Sequence, residues 1–308
     1  MKEKSKLSTE RIILYLVITF LLTYAVEIFV IAPFAGSTDF NEATIAQLLT
    51  TGVMFIPAYS VIMTRLFTKE GFRKEELYLS LNLRGNLKYY GLAWFGFALL
   101  IVLGSALYFL IFPKQFDPNL GYVAALLEGQ AEGEVTTEAL KSVMSLQIVI
   151  GILFSPVLNF LFCLGEEWGW RGYLLPKLLE KFPVTAALLL EGVIWGLWHA
   201  PLTVLGHNYG VGYPGFPVVG ILAMCCFCIV IGIILSYVTI KTRSCIPAVL
   251  GHAMINGFSG TGIYFTSLEN PYNVFLGPAS TGLIGGAGFI VLAVVLLIRL
   301  HRDEKRKA

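Results

Sequence analysis

Charge is scarce in this sequence. Only 14% of its 308 residues are Asp, Glu, Lys or Arg, against 56% hydrophobic, and the mean hydropathy is +0.74. Those values lie outside the range of a soluble domain and describe a polytopic membrane protein. The formal net charge of +2 is too small to suggest a nucleic-acid partner. Histidine is rarer still, four in all, and no HExxH pair is present, so the usual zincin signal is missing. The five cysteines (Cys163, Cys225, Cys226, Cys228 and Cys245) lie in or beside apolar segments, without zinc-ribbon spacing. Even the Cys225-Cys226-Phe227-Cys228 cluster reads as buried small hydrophobes. There is no internal repeat, low-complexity tract or interdomain linker, so one domain over 1–308 is expected. The first apolar run is long and has no small-residue cleavage site behind it, which makes it a retained span rather than a signal peptide.

What is abundant is long apolar sequence. With about 20 residues needed per crossing, about eight spans are expected, at 11–34, 47–67, 89–112, 147–180, 184–206, 217–240, 245–265 and 280–300. The fold class is therefore all-α, a membrane helix bundle. Lys and Arg set the threading, because cytoplasmic loops are enriched in them. With both termini inside, twenty of the 22 Lys and Arg fall on the inner side, and only Lys114 and Lys141 remain outside. Residues 65–88 form a charged inner connection. The outer stretch 113–146 carries Asp117, Glu128, Glu132, Glu134 and Glu138, while Leu120, Val123, Ala124 and Leu127 follow helical spacing. That spacing suits a surface-lying segment or lid.

Against this background one stretch is anomalous. Gly165-Glu166-Glu167-Trp168-Gly169-Trp170-Arg171-Gly172 places two carboxylates and an arginine in a sequence fit for lipid, where ionisable groups mark functional sites. Glu167 and Arg171 are i and i+4 with the acid first, the favourable order for a helical ion pair. Glu166 lies about 100° round the helix and can face another partner. Glu191, Trp195 and His199 share a face of the fifth span, and His252 and Asn256 share a face of the seventh. At a rise of 1.5 Å per residue, Glu166 lies about 16–22 Å from Lys177 and Lys181. His199 lies about 22 Å from the start of its span and His252 about 10 Å from its own. The three groups can meet within the membrane. Gly169, Gly172, Gly192, Gly196, Gly251 and Gly257 would let helices approach closely around them.

A carboxylate assisted by histidine can take a proton from water, and imidazole with a side-chain amide can stabilise the oxyanion of a tetrahedral intermediate. That is peptide hydrolysis without a covalent nucleophile and without a cofactor. The same set could instead hold zinc, with Glu166, His199 and His252 as ligands and the open position carrying the water. Both routes stay open at this point.

At these residues the sequence resembles the CPBP intramembrane proteases, which include the type 2 CAAX prenyl protease and bacterial Abi or bacteriocin-immunity relatives. Their motifs EExxxR, FxxxH and HxxxN stand here as Glu166-Glu167-Trp-Gly-Trp-Arg171, Trp195-Gly-Leu-Trp-His199 and His252-Ala-Met-Ile-Asn256, in a motif core of 165–257. The departure is Trp195 where Phe is usual, which changes pocket size but not chemistry. The resemblance implies that Glu166 and His199 activate the water and that His252 and Asn256 form the oxyanion site. Glu167, Arg171 and Trp195 would support that geometry. It also implies an active site opening to the cytoplasmic side of a bacterial or archaeal plasma membrane, with a membrane peptide or lipid-anchored protein as substrate. Two readings compete. One is a non-catalytic bacteriocin self-immunity or scaffold protein. The other is a proton-coupled transporter, which the lack of an inverted repeat disfavours. Single features read more plainly: Glu191 as an interhelical hydrogen bond, and His207 as an interfacial residue at the outer end of its span.

Overall fold

The computed structural model describes residues 2–127 and 136–306, with residues 2–6 as backbone alone. Glu128, Glu132 and Glu134 of the acidic outer stretch lie outside the described residues. Among the described residues all regular structure is helical, apart from one isolated antiparallel bridge between Phe116 and Thr266. In chain order the α-helices are α1 (Lys2–Val26), α2 (Phe40–Val53), α3 (Ile56–Phe67), α4 (Leu87–Gly91) and α5 (Phe97–Ile111). Next come α6 (Gly121–Leu127), α7 (Thr137–Leu158), α8 (Phe160–Gly169), α9 (Leu175–Leu179) and α10 (Val184–Trp198). The last are α11 (Ala200–Val204), α12 (Val218–Thr242), α13 (Ile246–Phe258) and α14 (Ala287–Lys305). Three π-helical turns interrupt this series, at Glu27–Ile31, Leu92–Gly96 and Trp170–Leu174.

Five helical stretches are long and apolar enough to cross a membrane: Leu7–Phe34, Phe40–Phe67, Leu87–Ile111, Thr137–Leu158 and Val218–Thr242. The molecule is therefore a polytopic membrane helix bundle. Its outward side chains are correspondingly apolar, with Leu21, Phe29, Val218 and Leu222 each at least 60% exposed. The expected fourth span, 147–180, is two elements rather than one. α7 stops at Leu158, and α8 starts afresh at Phe160. Pro156 contributes no amide hydrogen to the ladder, and the Asn159 side chain donates to the Ser155 carbonyl at 3.1 Å, so the backbone turns instead of continuing. The expected fifth span likewise breaks at His199, between α10 and α11.

The chain folds into two compact units, each drawn from separate stretches of sequence. The first comprises Met1–Tyr90, Phe160–Val249 and Ala293–Ala308. In it α12 packs along α10, and the seam is made by Gly192 and Gly196, one turn apart. A Cβ on Gly192 would stand 2.6 Å from the Ile229 Cα, and one on Gly196 would stand 2.5 Å from the Cys225 Cα. No side chain fits there, which is how small residues let membrane helices touch backbone to backbone. Gly165 and Gly169 serve α8 in the same way against Met54, Phe55 and Pro57. The cysteine cluster departs from the expectation at one position: Cys225 and Cys228 are buried, but Cys226 is exposed. At 100° per residue, positions three apart share the α12 seam while Cys226, one step on from Cys225, swings outward.

The second unit comprises Gly91–Asn159 and Leu250–Leu292. Here the helical spacing in the outer stretch is realised as α6. The Asp117 carboxylate accepts from the Asn119 and Gly121 amides, both at 2.8 Å, and so opens the helix. Leu120 packs against Leu140 and Met144, with Val123 beside them, while Ala124 and Leu127 stay exposed. The segment is also tied down by backbone, since the Asp117 amide donates to Phe265 and the Ser267 amide to Gln115.

Candidate active site

The sequence of α8 builds the centre of the first unit. Helix α8 lays Glu166 and Glu167 at its buried end, and the π-helical turn that follows, itself a feature common at functional sites, carries Arg171 inward. All three side chains are essentially removed from solvent. Arg171 Nη1 donates to Glu167 Oε1 at 2.8 Å, and its Nε stands 3.5 Å from Glu191 Oε1. The other Glu191 oxygen accepts from the Ser236 hydroxyl at 2.6 Å. The guanidinium also lies 4.1 Å from the centre of the Trp195 ring. One cation thus sits among two carboxylates and an aromatic face, the company a buried charge requires.

Glu166 takes a different partner. Its Oε1 accepts from the Trp195 indole Nε1 at 2.5 Å. One turn further along the chain, His199 Nδ1 stands 2.9 Å from the Trp195 carbonyl. A carbonyl can only accept, so Nδ1 carries the hydrogen and Nε2 is the basic nitrogen of the ring. Trp195 therefore fixes both groups, the carboxylate through its side chain and the imidazole through its backbone. His199 occupies the break between α10 and α11, where φ is −82° and ψ is 0°. The ring is held edge-on by Trp198, with centroids 4.7 Å apart, and Trp198 is itself anchored by its Nε1 donating to Thr23 at 2.7 Å. Cys228 Sγ lies 3.9 Å from Nδ1.

Glu166, Glu167, Arg171, Trp195 and His199 are thus brought together in the first unit. Glu191 joins them as the interhelical contact expected of it, and it also faces Arg171. His252 and Asn256 stand one turn apart on α13, in the part of that helix that belongs to the second unit. His252 is buried and Asn256 is exposed. Sequence reasoning missed three residues. Ser236 lies on the largely apolar α12 and carries no spacing signal, and Cys228 read only as a buried small hydrophobe. His207 is exposed, as expected of an interfacial residue, yet its ring stacks nearly parallel to that of His199 with centroids 6.2 Å apart. The chain turn after α11 creates that contact. Within either unit, no cluster of three or more His, Cys, Asp or Glu side chains with metal-holding geometry occurs among the described residues.

Residues 146–258 match the family model described as type II CAAX prenyl endopeptidase, Rce1-like. Over 113 residues the chain is 34% identical to CAAX prenyl protease 2 of Methanococcus maripaludis, an alignment covering 33% of this chain. The chain thus spans about two fifths of that relative, 39% of its length. All three motifs lie inside the matched segment, so the resemblance read from them extends across the intervening sequence as well.

Proposed function

We propose, from the CAAX prenyl endopeptidase segment at residues 146–258, that this chain is an intramembrane endopeptidase cutting a membrane-associated substrate near its C-terminus. The substrate is a lipid-anchored protein or a membrane peptide. The observation that carries the reading is the Trp195 clamp, which holds the Glu166 carboxylate and the His199 ring in one buried site. In the proposed reaction Glu166 removes a proton from water as the oxygen attacks the scissile carbonyl carbon. The carbonyl π electrons move to oxygen, and the resemblance in the three motifs assigns the oxyanion to His252 and Asn256. Collapse of the intermediate breaks the C–N bond, and the proton reaches the leaving amine through His199 Nε2. Arg171 and Glu167 keep the helix end in place. Were zinc used instead, Glu166, His199 and His252 would be the residues to hold it, and it would supply an activated water. The distribution of Lys and Arg supports an even number of spans with both termini in the cytoplasm, and the reading places the protein in a bacterial or archaeal plasma membrane with a site open to the cytoplasmic side.

The test uses purified full-length protein in detergent. Wild type, Glu166→Gln and His199→Ala are incubated with a membrane-peptide library and a farnesylated CAAX peptide, with and without chelator, and the products are read by mass spectrometry. Cleavage by wild type alone is the expected result. Loss under chelation with restoration by zinc would select the metal route. Cleavage that survives both substitutions would sink the proposal. No cleavage by a folded wild type would turn the assignment toward an immunity or scaffold protein.

A further inference from the structure

Helix α12 carries none of the three motifs, yet one of its faces runs along the site. Cys228, Gly232 and Ser236 are spaced four apart on α12, as Glu191, Trp195 and His199 are on α10, so each set lines one face of its helix. Cys228 Sγ lies 3.9 Å from His199 Nδ1. A Cβ on Gly232 would stand 3.8 Å from Trp195 Cε3 and only 3.0 Å from Arg171 Nη2. The Ser236 hydroxyl donates to Glu191 Oε2 at 2.6 Å. These pairs run in opposite chain directions, and each step of four on α12 is answered by a step of four on α10. All six residues are buried.

The two lower contacts act on one cation. Glu191 is held through both oxygens, by Ser236 at one and by Arg171 Nε at 3.5 Å on the other, so its carboxylate cannot swing away. Arg171 is pressed between Glu191, the open backbone of Gly232 and the Trp195 ring, whose centre is 4.1 Å from the guanidinium. The same indole donates to Glu166, and its backbone carbonyl meets His199. We propose that the Cys228–Gly232–Ser236 face of α12 is a positioning surface for the catalytic pair. Ser236 fixes Glu191, Glu191 and Gly232 fix Arg171 against Trp195, and Trp195 aims Glu166 and His199. Cys228 backs the imidazole. None of these α12 groups touches the reacting atoms. The kinetic consequence rests on the protease reading; the geometric one does not.

The experiment uses full-length protein in detergent with a farnesylated CAAX peptide as probe. Gly232→Ala and Ser236→Ala should each lower kcat at least about tenfold with KM changed less than about twofold, because misplacing catalytic groups costs rate rather than binding. Cys226→Ala, on the exposed side of α12, should match the wild type. Indole NMR needs no substrate: the Trp195 Nε1–H resonance, identified by its absence in Trp195→Phe, should shift in both variants and stay in place in Cys226→Ala. Ser236→Ala only removes an oxygen and carries the test if Gly232→Ala does not fold. Wild-type kcat in the folded variants, or a fall in kcat with the Trp195 resonance unmoved, would overturn the proposal. If the wild type does not cleave the probe, the protease reading fails separately, and the resonance decides: a shift sustains the positioning surface, and no shift removes it.

Discussion

Replacing Arg171 by Met should be among the most damaging single changes in the first unit. The guanidinium is fully buried, 2.8 Å from Glu167 and 3.5 Å from Glu191, and it lies 4.1 Å above the Trp195 ring. Removing one partner of a buried ion pair costs about 3–5 kcal/mol, mainly because the opposite charge stays behind in a low-dielectric place. Unfolding entropy of about 2.1 cal/mol/K per residue, carried over a chain of this length, turns that into a loss of roughly 5–8 °C in Tm. The sharper test lies in compensation. Adding Glu167→Gln to Arg171→Met removes one stranded charge and should return at least about 1.5 kcal/mol, and adding Glu191→Gln should return more. The assay is thermal unfolding in detergent for the wild type and the single, double and triple variants. If the losses simply add, so that each neutralised glutamate makes matters worse, the three groups are not electrostatically coupled and the argument from burial is wrong.

The Trp195→Phe variant keeps an aromatic wall but deletes the indole donor to Glu166. It should lose about 1.5–3 kcal/mol, the range for a hydrogen bond to a charged group, while cleavage remains detectable; complete loss of cleavage would mean that the N–H itself sets the catalytic geometry. Gly196→Val should destabilise by about 1–3 kcal/mol or prevent folding, since the new side chain meets the α12 backbone at Cys225; a wild-type melting curve would show that α10 and α12 are not locked there. Acid stability depends on Glu70, just beyond the second span. Burial pushes its pKa up, but hydrogen bonding and charge from Lys177, the Tyr173 hydroxyl and Arg65 outweigh burial and hold it below the ordinary 4.5. A depressed folded value adds stability above the unfolded pKa, and that contribution is lost as pH falls through the lower folded value. Tm of the wild type should therefore drop on acidification below about pH 4.5, and Glu70→Gln should be less stable at neutral pH with a flatter acid profile.

The sequence by itself determined the solvent and singled out the candidate site residues. Scarce charge and long apolar runs specify membrane helices, because lipid leaves the backbone no partner but its own helix. The rare polar residues stand out for the same reason, and their i, i+4 spacing already placed Glu167 beside Arg171 and Glu191, Trp195 and His199 on one face. Tertiary structure decided what spacing cannot encode. Pro156 and Asn159 end a helix whose hydropathy runs on unbroken, so the span 147–180 divides. Which partner Glu166 takes was open on its own helix, and the approach of α10 settles it through Trp195. His207, Ser236 and Cys228 reach the site from sequence that is silent about it. Periodicity reports which way a side chain points from its own helix; which groups meet is fixed by how closely the glycine seams let neighbouring helices come.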